Sequence, residues 1–275
     1  MESTLLNILL RKPSREAKPE KRRIMKMISV ILCNLGGHLT VNLFLLTWVV
    51  SAASFQIPEK FVYDLTWTGI KAGTASLEIT DSYDKVKIAT TARSASWISV
   101  FYTVDDRIES TLLKNSSYSV IGQPANYRVK IREGRHRRNK EVVFDHNNKK
   151  ATYIDYIKNE RKDYELPSSA FDPISSFYYI RSLRLVVGES VFVTIFDSKK
   201  VWDVEVQVLR REKVATPQGT FDTIMVKPIL KSEGIFFGKG DIFIWLTDDV
   251  KHIPVKMQTK VAVGSVTATL VQGSY

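Results

Sequence analysis

The chain has 275 residues, 44% of them hydrophobic, with 40 Lys and Arg against 29 Asp and Glu. Eight of those bases and three of those acids fall in residues 1–53, so residues 54–275 carry a net charge of only +6. That suits solubility or weak attraction to an anionic surface, lacks the excess of a dedicated nucleic-acid binder, and gives no ground for nucleic acid as a partner.

Residues 1–24 contain Pro13, Pro19 and many charges and are expected to be a disordered basic extension, or untranslated if the chain starts at Met25 or Met27. Residues 25–53 form a signal peptide. Lys21, Arg22, Arg23 and Lys26 precede an apolar stretch over 28–50, which ends in Ser51-Ala52-Ala53, a small-x-small cleavage pattern. Asn34, Gly36, Gly37, His38 and Asn42 dilute that stretch relative to the ~20 apolar residues of a stable span. Cleavage near Ala53 gives a periplasmic or secreted protein; the alternative is an uncleaved inner-membrane anchor, the sole membrane contact expected, with the rest facing the periplasm. The single cysteine, Cys33, lies inside this leader. A cleaved chain therefore has no thiol nucleophile, disulfide or Cys-ligated metal, and Val30-Ile31-Leu32-Cys33 lacks the small residue that precedes a lipidated cysteine.

From Phe61 the pattern has period two: Phe61, Tyr63, Leu65 and Trp67, then Ala75, Leu77 and Ile79, with Gly69 and Gly73 marking the turn of a hairpin. Strands are predicted at 86–94, 100–113, 127–132, 141–145, 151–157 and 161–166, with turn residues such as Asn115-Ser116-Ser117, Glu133-Gly134 and Asn147-Asn148 between them. The pattern breaks once. Asp172 is a good N-cap, Pro173 suits the first helical turn, and Ile174, Phe177, Tyr178, Ile180 or Arg181, and Leu185 recur at helical spacing, predicting one amphipathic helix over 172–185 that plugs the sheet. Strands resume at 190–196, 201–210, 223–230, 241–246, 255–263 and 265–271. Residues 54–275 thus form a single, mainly β domain: a strongly curved antiparallel sheet or open barrel of roughly a dozen strands, with a two-sheet sandwich as the alternative.

Several blocks together resemble a known family. They are Tyr63-Asp64-Leu65-Thr66-Trp67-Thr68-Gly69-Ile70-Lys71-Ala72-Gly73, the run from Asp172-Pro173 to Ile180-Arg181, Thr216-Pro217-Gln218-Gly219-Thr220-Phe221-Asp222-Thr223, Ile244-Trp245-Leu246-Thr247-Asp248-Asp249, Ile253-Pro254-Val255, and Gly264 to Leu270. In this order, over about residues 60–271, the chain resembles the bacterial envelope family called domain of unknown function 3108. The resemblance implies a secreted or periplasmic β-rich domain and brings no assigned catalytic residues.

No motif for a cofactor or metal is present: there is no Gly-x-Ser-x-Gly elbow, glycine-rich phosphate loop or His-Glu-x-x-His. His136, His146 and His252 lack paired metal spacing, and Asp248 with His252 reads as solvated turn residues before it reads as an acid/base pair. Carboxylates Asp64, Glu78, Asp105, Asp106 and Glu109 leave room for a glycosidase-type pair, which has no sequence signature. Catalysis therefore has no positive support.

The most charged feature is a hairpin carrying Arg128, Lys130, Arg132, Arg135, His136, Arg137, Arg138 and Lys140 beside Tyr127, either a solvated edge or a contact surface for anionic lipid or glycan. Trp97 and Phe101, with Phe236 and Phe237 between Gly234 and Gly238, exceed what alternation needs and would suit an acyl chain or sugar ring if not buried in the core. The expected function is non-enzymatic binding of an amphiphilic (lipid or lipopolysaccharide-like) or glycan ligand in the curved sheet. The alternatives are a scaffold or assembly factor for envelope proteins, and a hydrolase of wall or capsule polymers.

Overall fold

The computed structural model describes residues 56–115, 117–229, 241–260 and 264–275. They form one antiparallel sheet of fourteen strands. In chain order these are β1 (Glu59–Trp67), β2 (Ile70–Ser82), β3 (Lys85–Ser94), β4 (Asp105–Leu113), β5 (Gln123–Glu133), β6 (His136–Asp145), β7 (Lys150–Asp155), β8 (Glu160–Glu165), β9 (Ser190–Asp197), β10 (Lys200–Thr216), β11 (Gly219–Ile229), β12 (Ile242–Thr247), β13 (Pro254–Lys260) and β14 (Ser265–Ser274). A one-turn helix α1 (Ser96–Ser99) joins β3 to β4, and α2 (Pro173–Arg181) lies between β8 and β9.

The strand order is two meanders welded in the middle, β8 through β1 and then β14 back to β9, with β1 pairing β14 from Lys60↔Ser274 to Trp67↔Val266. One continuous sheet forms where a sandwich was the alternative. The edge strands β8 and β9 are not paired in the sheet, so the barrel has an open seam. Side chains cross it instead. Phe196 of β9 packs on Phe144 and Tyr164 with ring centroids 6.1 and 6.0 Å apart, and Lys199 reaches Glu160 at 2.7 Å.

Alternation puts Phe61, Tyr63, Leu77, Ile79, Ile88 and Leu112 on the inner face with Val204, Val206 and Val208, while Lys60 and Asp203 alternate with them on the other face. Gly73 is not part of the first turn, which is made at Thr68-Gly69; it sits inside β2 because a Cβ there would meet the Arg93 carbonyl oxygen at 2.2 Å. The predicted strand over 100–113 begins only at Asp105, since residues 95–104 wind through α1 and carry the chain out beyond the strand ends.

The α2 helix starts as its sequence predicts. The Asp172 carboxylate accepts from the amides of Ile174 and Ser175 at 2.9 and 3.0 Å and from the hydroxyls of Ser175 and Ser110, both at 2.6 Å. It ends at Arg181 rather than at residue 185, because Ser182 caps it and Leu185, though buried, lies past the cap. Arg181 is the position where helical spacing was ambiguous, and it is fully buried. Its guanidinium pairs with Glu59 of β1 at 2.5 and 3.2 Å and donates to the carbonyls of His252 at 2.9 Å and Lys251 at 3.1 Å. His252, read from sequence as a solvated turn residue, is buried with its Nδ1 2.7 Å from the Arg181 carbonyl oxygen.

Candidate functional site

Successive turns of an antiparallel meander fall at alternate ends of the sheet. The helix end is defined by Glu59, Arg181 and the turn between β12 and β13, which the guanidinium fastens together. The β1–β2, β3–β4, β5–β6, β7–β8, β9–β10 and β13–β14 connections all lie at the opposite end. Hydrogen bonds run round this rim: Thr68 N–H to the Ser265 carbonyl at 2.9 Å, Trp97 Nε1 to Lys71 at 3.0 Å, Gly134 N–H to Thr103 at 2.8 Å, and Tyr156 N–H to Asn139 at 2.8 Å. The molecule is therefore plugged at one end by α2 and carries an ordered rim at the other.

Between α2 and the inner face lies an apolar cavity of about 270 Å³. Ile174, Phe177 and Ile180 of α2 face Ala75 and Leu77 of β2, Val204 and Val206 of β10, and Ile244 of β12, with Ser76, Thr90 and Ser176 among the few polar residues of its wall. Pro228 and Ile242 also line it, at the strand ends flanking the segment 230–240. Phe236 and Phe237, expected to form an apolar lip, fall in that segment and lie outside the described residues.

The basic hairpin is split by the pleat. Arg128, Lys130, Arg132 and Arg137 face outward, and on that face Arg128 is neutralised, bonding Glu141 and Asn139 at 2.8 Å and lying 4.0 Å over the Tyr156 ring. Arg138 and Lys140 pair in register with Ile131 and Val129 and so share the inner face. There, with Lys158, Lys199, Lys200 and His136, they border a second cavity of about 440 Å³ whose carboxylates are Asp155 and Asp197. Five side-chain cations thus surround two carboxylates. Burial, aided by the neighbouring Arg138, holds the Lys140 ammonium below its ordinary pKa. Ile195 lines the apolar cavity and Asp197 the basic one; two residues apart on β9, they share a strand face and make the two cavities neighbours. Tyr127, expected beside the basic residues, is buried on the inner face, where burial pushes its phenol pKa well up and no hydrogen-bond partner meets its hydroxyl among the described residues.

The remaining expected contact residues sit on the rim. Trp97 is half-exposed and Phe101 is 87% exposed, so neither is a core residue. Arg132 and Arg135 are exposed on the β5–β6 hairpin. Lys199, Lys200, Asp155 and Asp197 carry no local signature of a site; the Asp197-Ser198-Lys199-Lys200 turn is the available signal, but nothing local shows that it meets β6 and β7 across the seam. Each carboxylate that left a hydrolase open is engaged by a neighbouring donor. Asp64 pairs with Lys71, Glu78 with Lys60, Asp105 with Arg93, and Glu109 with Lys87 and Arg107, while Asp106 accepts from the Arg132 amide. Asp248 pairs with Arg211 at 2.6 Å, and the His252 ring is turned instead onto the Arg181 carbonyl.

A curled, helix-plugged antiparallel sheet with an apolar interior and a basic mouth places this chain among the barrel-like β-proteins. It belongs to the family described as protein of unknown function (DUF3108), which it matches over residues 62–271. In fold it is similar to a beta-barrel-like protein of domain of unknown function DUF1849 from Brucella abortus, with a TM-score of 0.50 and 13% identity over 80% of this chain and 98% of that one. Weaker likenesses, each with a TM-score of 0.32 and 12% identity over 80% of this chain, are to a Bacteroides fragilis protein with a YmcC-like fold, described as a candidate exported protein, and a Parabacteroides distasonis candidate lipoprotein. They span 97% and 96% of those chains. No curated protein matches the chain.

Proposed function

We propose that this is an exported, non-enzymatic cell-envelope protein, periplasmic or secreted, that holds one alkyl chain of an amphiphile in the cavity beneath α2. The observation that carries this reading is the cavity itself: an interior lined by Ile, Val, Leu, Phe and Met side chains that the core does not fill. A concave, mostly apolar space with a few polar groups in its wall is the usual form of a small-ligand site. At about 270 Å³ it lies just below the ~300–1,000 Å³ of drug-sized sites, which favours a single chain over a multiply acylated lipid. The adjoining basic cavity, where Arg138 and Lys140 meet Lys199 and Lys200, would receive an anionic headgroup. Export is supported by the basic, apolar and small-residue pattern of residues 21–53.

Native mass spectrometry of the full chain purified from its own envelope should find a bound amphiphile. Ala75→Phe, which projects a ring into the space, should abolish uptake of a fluorescent fatty acid at a stability cost of no more than about 1–3 kcal/mol. A chain that is always empty, or uptake unaffected by Ala75→Phe, sinks the reading.

A further inference from the structure

The rim carries a second anomaly that the cavity does not use. Phe101 is 87% and Val100 76% exposed, and Ile70, Trp97 and Tyr102 are each about half exposed or more. Exposed apolar residues scattered singly need no explanation, but a contiguous group does. These form one group. The Trp97 indole N–H is bonded to the Lys71 carbonyl beside Ile70, and Phe101 N–H is bonded to the Ile98 carbonyl within the same loop. The group is also fastened to the basic hairpin. A Cβ on Gly134 would meet the Tyr102 ring at 2.7 Å, Gly134 has a left-handed φ of +54°, and Val104 bridges to Glu133. Exposed Arg132 and Arg135 therefore flank the aromatic loop directly. On the β7–β8 turn of the same end, Tyr156 and Ile157 are about half exposed, and Ile157 lines the basic cavity.

We propose that this end of the sheet docks on the surface of an anionic lipid bilayer, with Val100 and Phe101 entering the acyl boundary, Trp97 and Tyr102 at headgroup depth, and Arg132 and Arg135 facing lipid phosphates. Three features select a bilayer over a folded partner or a glycan. The apolar side chains belong to three different turns at one end of the sheet, so they offer separate tips to a surface. The exposed Val100 and Ile70 beside Phe101 are aliphatic, which suits hydrocarbon better than a sugar ring. Trp and Tyr accompany them with interleaved arginines, the composition that partitions into the interface of an anionic membrane. This inference stands whether or not the inner cavity holds a ligand.

The test uses the full chain with Cys33→Ser, so that one new cysteine can carry an environment-sensitive fluorophore, placed either by Phe101→Cys or by Tyr83→Cys. Tyr83 is 99% exposed and lies in the β2–β3 turn at the opposite end, so both labels report on intact folds and share whatever the N-terminal segment does. With phosphatidylglycerol-containing vesicles the Phe101 label should shift its emission to the blue and lose access to aqueous iodide, whereas the Tyr83 label should do neither. Arg132→Gln with Arg135→Gln should weaken this partitioning by about an order of magnitude, and so should raised salt. A Phe101 label that stays in water, or that shifts no more than the Tyr83 label, overturns the proposal. An equal shift on soluble acidic polysaccharide without lipid also overturns it and reassigns the rim to glycan. An empty cavity alongside a positive shift removes the ligand-binding reading alone.

Discussion

Removing Glu59 leaves one of the largest charged groups of the interior without its counter-ion. The Arg181 guanidinium is fully buried, Glu59 is 3% exposed, and together they tie the start of β1 to the end of α2 across 122 residues. The aromatic rings of Tyr178 and Phe61 lie 4.8 and 5.4 Å from the guanidinium carbon, so no water-rich route relieves the charge on either face. Truncating one member of such a pair typically costs 3–5 kcal/mol, because the survivor stays buried and unpaired. Glu59→Ala should therefore lower the unfolding free energy by about 3–5 kcal/mol, or the melting temperature by roughly 6–20 °C for a domain of this size. The double variant Glu59→Leu/Arg181→Met removes both charges at similar volume and should recover part of that loss. It should not recover all of it, since the Lys251 and His252 carbonyls lose their donors at about 1–3 kcal/mol each. Urea unfolding of both variants, with the slope checked for two-state behaviour, measures the difference. A cost below about 1 kcal/mol for Glu59→Ala, or a double variant less stable than both single ones, would refute the view that this pair fastens the plugged end.

Two further outcomes follow from the same reasoning. Asp172→Ala removes a helix cap and leaves the Ser110 and Ser175 hydroxyls without their shared acceptor, so calorimetry should show a loss of about 2–4 kcal/mol, while Asp172→Asn, which can still cap, should cost clearly less; equal losses for the two would argue against the cap. The Arg107 and Lys87 cations beside Glu109 lower its carboxyl pKa to about 2, so its contribution is present above its ordinary value of 4.5 and is lost as the pH falls towards 2. Asp172 works the other way, since burial raises its pKa despite four hydrogen bonds and its share of stability falls as the pH rises through that raised value. Glu109→Gln should flatten the acid limb of a stability-versus-pH curve, and a curve that superimposes on the parent between pH 4.5 and 2 would contradict the assignment.

The residues themselves determine that this chain is a meander of strands interrupted once by a helix. Period-two alternation in segments such as Phe61, Tyr63 and Leu65 and the turn residues between them are local signals, and Asp172-Pro173 marks the helix start because capping is chemistry between near neighbours. The ordered blocks likewise sufficed for the family. Tertiary structure alone decided the rest. The pairing of β1 with β14 brings both ends of the domain together and assigns every turn to one end or the other, and no local pattern encodes it. Arg128 and Arg138 look alike in the sequence, yet the pleat sends one to an ion pair outside and the other to a cavity inside. Gly73 reads as a turn residue until the Arg93 carbonyl is seen against it, and the spacing leaves Ile180 or Arg181 open until Glu59 arrives from 122 residues away. In each case the deciding partner is distant in the chain, and register and curvature choose it, because they minimise the free energy of the whole sheet rather than of any one segment.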